Sequence, residues 1–305
     1  MLAGVTTTYP VIFSGGILPT FWRPVLGYTA LNILSYYVDV TPFVGMLVDG
    51  KPHTISLRIV NANYFWLVDA NLHLWVDHGT NQTMGGLIKY DIEPNATITV
   101  VEQIEPNLDA NFTTTVKRAV TLVGWVRTLT HEIRSTVHCL IRFNNKLQFT
   151  NESNSESWSQ KIIQATTIIT STQALGSGRR PRRKFLHIQT TSDEWPFSGS
   201  NSYAATADGG FILSGSIDQG FSRQTLDQRG ARVVFASEVR EKQIGSGAYG
   251  QTGKGLPIEG LGPTTLDTKL DYFDSTKRCY KREVAVNNTV IVSDEESEKC
   301  IEKMQ

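Results

Sequence analysis

The tightest constraint on this chain is a period of two. Polar and apolar residues alternate in run after run: Tyr9 to Phe13, Tyr36 to Val40, Thr54 to Val60, Tyr64 to Val76, Ala96 to Val101, Ala119 to Val126, Ser135 to Phe143, Ile162 to Thr170, Phe185 to Thr190 and Arg232 to Ser237. These runs are rich in Val, Ile, Thr, Tyr, Phe and Trp and are separated by Gly, Asn, Asp and Pro, the chemistry of strands and their turns. No long stripe at helical spacing interrupts them. A sheet hides an apolar face only against a second layer, so the pattern predicts an all-β chain of jelly-roll-like β-sandwiches. The one local exception is Pro42 to His53. It reads as a short helical turn followed by a loop, with Asp49-Gly50 as the turn pair and His53 as a loop residue.

At 305 residues the chain has room for two ordinary domains. Composition turns polar from Glu102 to Asn111, which predicts a first unit over residues 1–102 and a second over 103–305. Gly, Ser, Pro and Arg then concentrate from Ala174 to Lys184, marking an exposed basic loop open to proteolytic nicking. The segment from Gly209 to Gly262 is glycine-rich and reads as long connections between strands.

Lys plus Arg and Asp plus Glu both total 29, so the formal charge is zero. That balance argues against nucleic acid or an anionic membrane surface as partner. No run reaches the roughly 18–20 apolar residues of a membrane span, and Met1 to Val5 lacks the features of a signal peptide. Five sequons, at Asn81, Asn95, Asn111, Asn151 and Asn287, lie mostly in polar, turn-like surroundings and point instead to the secretory pathway.

Of the three cysteines, Cys139 sits in an apolar alternating run and reads as a buried free thiol. Cys279 and Cys300 bracket a segment of hairpin length. They are either two thiols or a disulfide worth about 3 kcal/mol. Neither zinc-type Cys/His spacing nor a Gly-x-Ser-x-Gly elbow occurs. The run Gly245 to Gly250 lacks the Lys of a phosphate loop, and no cofactor is expected.

Two clusters carry candidate chemistry. Laid on a strand, Tyr64 to Asp77 puts Tyr64, Trp66, Val68, Ala70, Leu72, Leu74 and Val76 on an apolar face. The opposite face carries Asp69, Asn71, His73 and Trp75. It suits either a concave polar binding surface or an ordinary solvent face. The second cluster is Phe21-Trp22-Arg23-Pro24 with Tyr36-Tyr37-Val38-Asp39. Either Trp22 and Arg23 face a ligand, or Trp22 is core and Arg23 pairs with Asp39.

The blocks Trp22-Arg23-Pro24, Tyr36 to Phe43, Asp49 to His53 and Val68 to Trp75 resemble, in order and spacing, the peptide-N-glycosidase A family of plants and fungi. The resemblance is densest from Gly16 to Asp77 and continues through Lys184 to Ile188 and Cys279…Cys300. It implies hydrolysis of the amide joining asparagine to the first N-acetylglucosamine of N-glycopeptides, at acidic pH and without a metal. It also implies a secreted or vacuolar protein and favours the Cys279–Cys300 bridge. Such a reaction needs a carboxylate to activate water, donors for the oxyanion and aromatic walls for the sugar. By residue type, Asp69 or Asp39 is the base, Arg23 or Asn71 the donor, and Trp22 or Trp75 the sugar platform, with His73 beside them. Two departures stand out: a Phe-Asp-Arg motif of relatives is absent, and Ala30-Leu31-Asn32 replaces Ala-Phe-Asp. The expectation is therefore the later part of a two-sandwich glycoamidase architecture, inactive by itself if either missing Asp is essential. The alternatives are a non-catalytic carbohydrate-binding module and a nonfunctional product.

Overall fold

The computed structural model describes residues 4, 6–7, 35–59, 68–93, 95–176, 184–288 and 290–299. A 3₁₀ turn (Thr41–Phe43) runs into a one-turn helix α1 (Val44–Leu47), the short helical piece expected there. Eleven strands follow: β1 (Met84–Ile92), β2 (Thr97–Ile104), β3 (Ala110–Arg127), β4 (His131–Thr150), β5 (Ser155–Ala174), β6 (Lys184–Ala205), β7 (Phe211–Arg229), β8 (Arg232–Gln251), β9 (Thr264–Asp274), β10 (Cys279–Asn287) and β11 (Val290–Ser297). The all-β class expected from the alternation is the class observed. No helix among the described residues is long and apolar enough to cross a membrane.

All eleven strands join one antiparallel sheet. From β3 onward each strand pairs with its successor, while β1 and β2 follow one another along the free edge of β3. The interior strands are long: β4 and β5 stay in register from His131↔Ala174 to Thr150↔Ser155 without a shift. At about 3.3 Å per residue such strands reach roughly 65 Å. Glycine does not break them. Gly209 to Gly262, expected as connections, instead contains the whole of β7 and β8. Small residues are needed there for packing: a Cβ on Gly250 would lie 2.8 Å from Leu261 Cδ1 and 2.9 Å from Ile258 Cδ1. Conversely, Thr54 to Ile59 and Val68 to Val76 belong to no described strand and are exposed except for the half-buried Ile59. Alternation alone did not supply them with a ladder partner.

The register sorts side chains onto two faces. The inner face holds a core of Val120, Leu122, Val137, Cys139 and Ile141, closed over by Phe43 and flanked by Val40, Met46 and Leu87. Ile162, Trp195 and Phe221 form a second cluster, with Tyr36 packed against it. A third gathers Ile217 and Leu266 with Trp158 and Phe197. Residues 35–47 thus cross the sheet as a partial second layer. Cys139 is free and buried, as expected, and burial pushes its thiol pKa upward. The chain between Cys279 and Ser297 is the expected hairpin. Cys300 lies outside the described residues, as do Trp22, Arg23 and the cluster Arg179 to Arg183.

Turn chemistry closes the strands. Asn151, Glu152 and Ser153 all have positive φ, between 56° and 64°. Three left-handed residues in a row are strained without support. Here Asp109 Oδ1 accepts from Glu152 N at 3.0 Å, and Ser153 Oγ donates to the Leu108 carbonyl. The β2–β3 and β4–β5 turns are therefore tied together.

Leu122 is fully buried beneath Phe43. Leu122→Ala is expected to cost about 2–5 kcal/mol in chemical denaturation. A loss well below that would show that the inner layer does not close over it.

Candidate functional site

Besides the packing of Phe43, Val40 and Met46, two residues of the N-terminal signature region bind it to the sheet. Asp39 accepts from Thr41 N and from Ser135 Oγ, each at 2.9 Å. Ser135 is itself buried on β4. Both carboxylate oxygens of Asp39 are thus engaged in starting the 3₁₀ turn and anchoring it to the sheet. Three residues earlier in the chain, Tyr36 lies on the Trp195–Phe221 pair, whose ring centroids are 5.5 Å apart.

Beside Tyr36 the inner face becomes polar. The register aligns Ile141, Gln164, Asp193, Arg223 and Val239 in one row across β4 to β8. Asp193, 4% exposed, receives both prongs of Arg223: Nε to Oδ1 at 2.7 Å and Nη2 to Oδ2 at 2.8 Å. Such a fork satisfies a buried carboxylate as a single bond cannot. The hydrogen bonds it donates to Asp193 raise the Arg223 pKa, and the phenols of Tyr36 and Tyr37 add to it. The guanidinium also stands 5.7 Å over the Phe221 ring. Four residues before Arg223 on β7, Gln219 Nε2 donates to Gln243 Oε1 at 2.6 Å, with both amides buried.

Glu241 completes the cluster from β8. It faces Phe221 on β7 and Leu270 on β9, one step from the rows of Arg223 and Gln243. Burial pushes its carboxyl pKa upward. Together, these residues place a desolvated acid and a fixed guanidinium on the sheet beneath Tyr36 of the signature segment. That combination can hold a proton on Glu241 and position a polar group beside Arg223.

The other sequence candidates lie elsewhere. Asp69, Asn71, His73 and Trp75 follow one another along the exposed segment after Val68, with Trp75 92% exposed. Asp69 Oδ1 caps the neighbouring Ala70 N at 2.7 Å. Val68, Leu72, Leu74 and Val76, expected as core, are exposed as well. His53 bonds Asp49 Oδ1 at 2.7 Å, which together with the Lys51 amide lowers the Asp49 pKa. That is the loop role expected of it. All five sequon asparagines are exposed. Among the described residues no group of three His, Cys, Asp or Glu is arranged to hold a metal.

Sequence reasoning overlooked Asp193, Arg223 and Glu241. A signal was present: Asp193, Trp195 and Phe197 alternate on one face of β6, and Ile217, Gln219, Phe221 and Arg223 on one face of β7. A buried charge on each of two strands calls for pairing between them.

Residues 1–93 match the family model described as Peptide N-acetyl-beta-D-glucosaminyl asparaginase amidase A. The chain is also similar to peptide-N4-(N-acetyl-beta-glucosaminyl)asparagine amidase A of Prunus dulcis. The identity is 26% over 302 residues, covering 99% of this chain and 50% of that relative. The resemblance seen in the four sequence blocks is shown, and it extends over nearly the whole chain. The chain spans about half the length of the relative it matches. No solved structure matches.

Two outcomes follow for the inner cluster. Arg223→Ala strands the buried Asp193 carboxylate and is expected to cost about 3–5 kcal/mol in urea unfolding. Arg223→Lys, which keeps the charge but not the fork, should fall between. For Glu241 the folded carboxyl pKa lies above the unfolded one, so the folded state holds the proton more tightly. Its stabilising contribution is full below the unfolded carboxylate pKa and declines as pH rises through the folded pKa. Urea midpoints of Glu241→Gln should therefore gain on the wild type as pH rises through that window. Parallel curves would rule out a raised pKa.

Proposed function

We propose that this chain is the sheet-bearing part of a glycopeptide amidase that cleaves the bond between asparagine and the first N-acetylglucosamine of N-glycopeptides. The observation that carries the proposal is its similarity to an amidase of that name along 99% of its length. The matched region 1–93 contains the segment that crosses the inner face beside Asp193, Arg223 and Glu241.

In this reading the reaction is acid–base amide hydrolysis. A carboxylate takes a proton from water, which attacks the amide carbon. A donor steadies the oxyanion and an acid protonates the departing glycosylamine, leaving aspartate in the peptide. Asp69 is the exposed carboxylate of the sequence candidates, and Asn71, His73 and Trp75 extend from it along the same strip as substrate contacts. Asp39 acts as a positioning residue, since both its oxygens are occupied. Arg23 and Trp22 complete the proposed donor and sugar platform.

The two-unit division is part of the same proposal. Residues before about Glu102 end a first sandwich that adds to the second through β1 and β2. Secretion or vacuolar residence, glycans on the sequon asparagines and a Cys279–Cys300 bridge also belong to it.

Purified chain incubated with an N-glycopeptide at acidic and neutral pH is expected to release glycan and convert the linked asparagine to aspartate, read by mass spectrometry. Asp69→Asn should lower the rate roughly 10²-fold or more, as for a lost general base. Prolonged incubation without release would remove the amidase assignment from this chain. Glycan binding without turnover would instead favour a carbohydrate-binding module.

A further inference from the structure

The outer face of the sheet, opposite the Asp193–Arg223 cluster, is not uniformly flat. A hollow of about 250 Å³ opens over β6, β7 and β8, lined by Ser192, Glu194, Ser222, Gln224, Glu238 and Arg240. Its origin is legible in the register. One row reads Ser192, Gln224, Glu238, and the next reads Glu194, Ser222, Arg240. Short and long side chains alternate as on a checkerboard. Serines make the floor, and the long side chains rise around it. Strands two places apart stand about 10 Å from each other, so Glu194 and Arg240 face one another across the short Ser222.

Every charge in the hollow is already compensated. Lys161 Nζ lies 2.7 Å from Glu194 Oε2, and Arg240 Nε donates to Glu238 Oε1. Gln224 Nε2 also donates to Glu238 Oε1, at 3.3 Å. Glu238 is only 9% exposed although it sits on the outer face, because Gln224, Arg240 and Phe273 surround it. The hollow therefore carries no net charge to draw in an ion. It does offer a dense set of short-range partners: carboxylate acceptors, an amide with both functions, a guanidinium and two hydroxyls. Apolar lining is nearly absent, which disfavours an apolar guest. A ring bearing several adjacent hydroxyls, each both donor and acceptor, complements such a surface.

We propose that the hollow formed by Ser192, Glu194, Ser222, Gln224, Glu238 and Arg240 binds a single neutral saccharide residue. The volume lies just below the roughly 300 Å³ at which ordinary ligand pockets begin, which sets the size at one ring. Glu194 and Glu238 accept from ring hydroxyls, Arg240 and Gln224 donate to ring or hydroxyl oxygens, and the serines meet the face of the ring. The site is separate from the inner cluster, so the amidase proposal neither supports it nor falls with it.

The test is titration of the isotope-labelled full chain with N-acetylglucosamine, mannose and chitobiose, following amide shifts by NMR. Binding in the millimolar range is expected, about −4 kcal/mol at 1 mM, with shifts centred on β6 to β8. Ser222→Leu, which fills the floor, should weaken binding at least about tenfold. Lys242→Gln, on the same face but outside the hollow, should leave it unchanged. Should Ser222→Leu fail to fold, Glu238→Gln serves as the second variant, with the same loss expected. No saccharide response up to about 50 mM would overturn the proposal, as would binding undiminished in both hollow variants. A stronger response to acetate or calcium than to any sugar would overturn the neutral-ligand assignment.

Discussion

Everything in this fold depends on the register of long antiparallel strands. From β3 to β8 the ladders run for most of their length without a shift, so each row of side chains is one continuous line across the sheet. A one-residue slip in any strand would exchange its faces. It would put Val137 and Cys139 in solvent and separate Asp193 from Arg223. The apolar clusters, the buried ion pair and the outer hollow are thus consequences of one alignment. Register is protected where a slip would be costly: at Leu122 under Phe43, at the Arg223 fork and at the Gln219–Gln243 pair.

Much of the architecture was legible in the sequence. The alternating runs of β3, β4 and β5 appear as strands with Val120, Leu122, Val137, Cys139 and Ile141 facing inward. The helical turn at Thr41 to Leu47, the Asp49 turn and the C-terminal hairpin are likewise where local chemistry puts them. Strand lengths were not legible. Ser157 to Lys161 and Gly209 to Gly262 contain too many small polar residues to announce themselves as strands, yet neighbours on both sides complete their ladders. Tertiary context overrides weak local preference there. The opposite occurs at Val68 to Val76, where strong alternation lacks a partner and forms no ladder.

The candidate site divides in the same way. The importance of Asp39 was visible, but its role was not: pairing with Ser135, 96 positions away, is a long-range fact. Asp193, Arg223 and Glu241 come from β6, β7 and β8, and alternation marks the first two as inward charges without saying which strands adjoin. Only the register puts them together under Tyr36. The resemblance to amidases, by contrast, lay in four short blocks that needed no structure to read, and comparison extended it over the chain.

The order of the strands bears on how the molecule comes into being. Because each strand from β3 onward pairs with the one just before it, a ladder can form as soon as its hairpin is complete, and the loop to be closed is short each time. Assembly can then proceed by stepwise zipping from one hairpin to the next. The inner layer obeys a different schedule. Residues 35–47 precede all eleven described strands, but their anchors on β4 and β7 are formed much later in the chain. During synthesis the segment that closes the core emerges before the strands that it covers and has to wait for them.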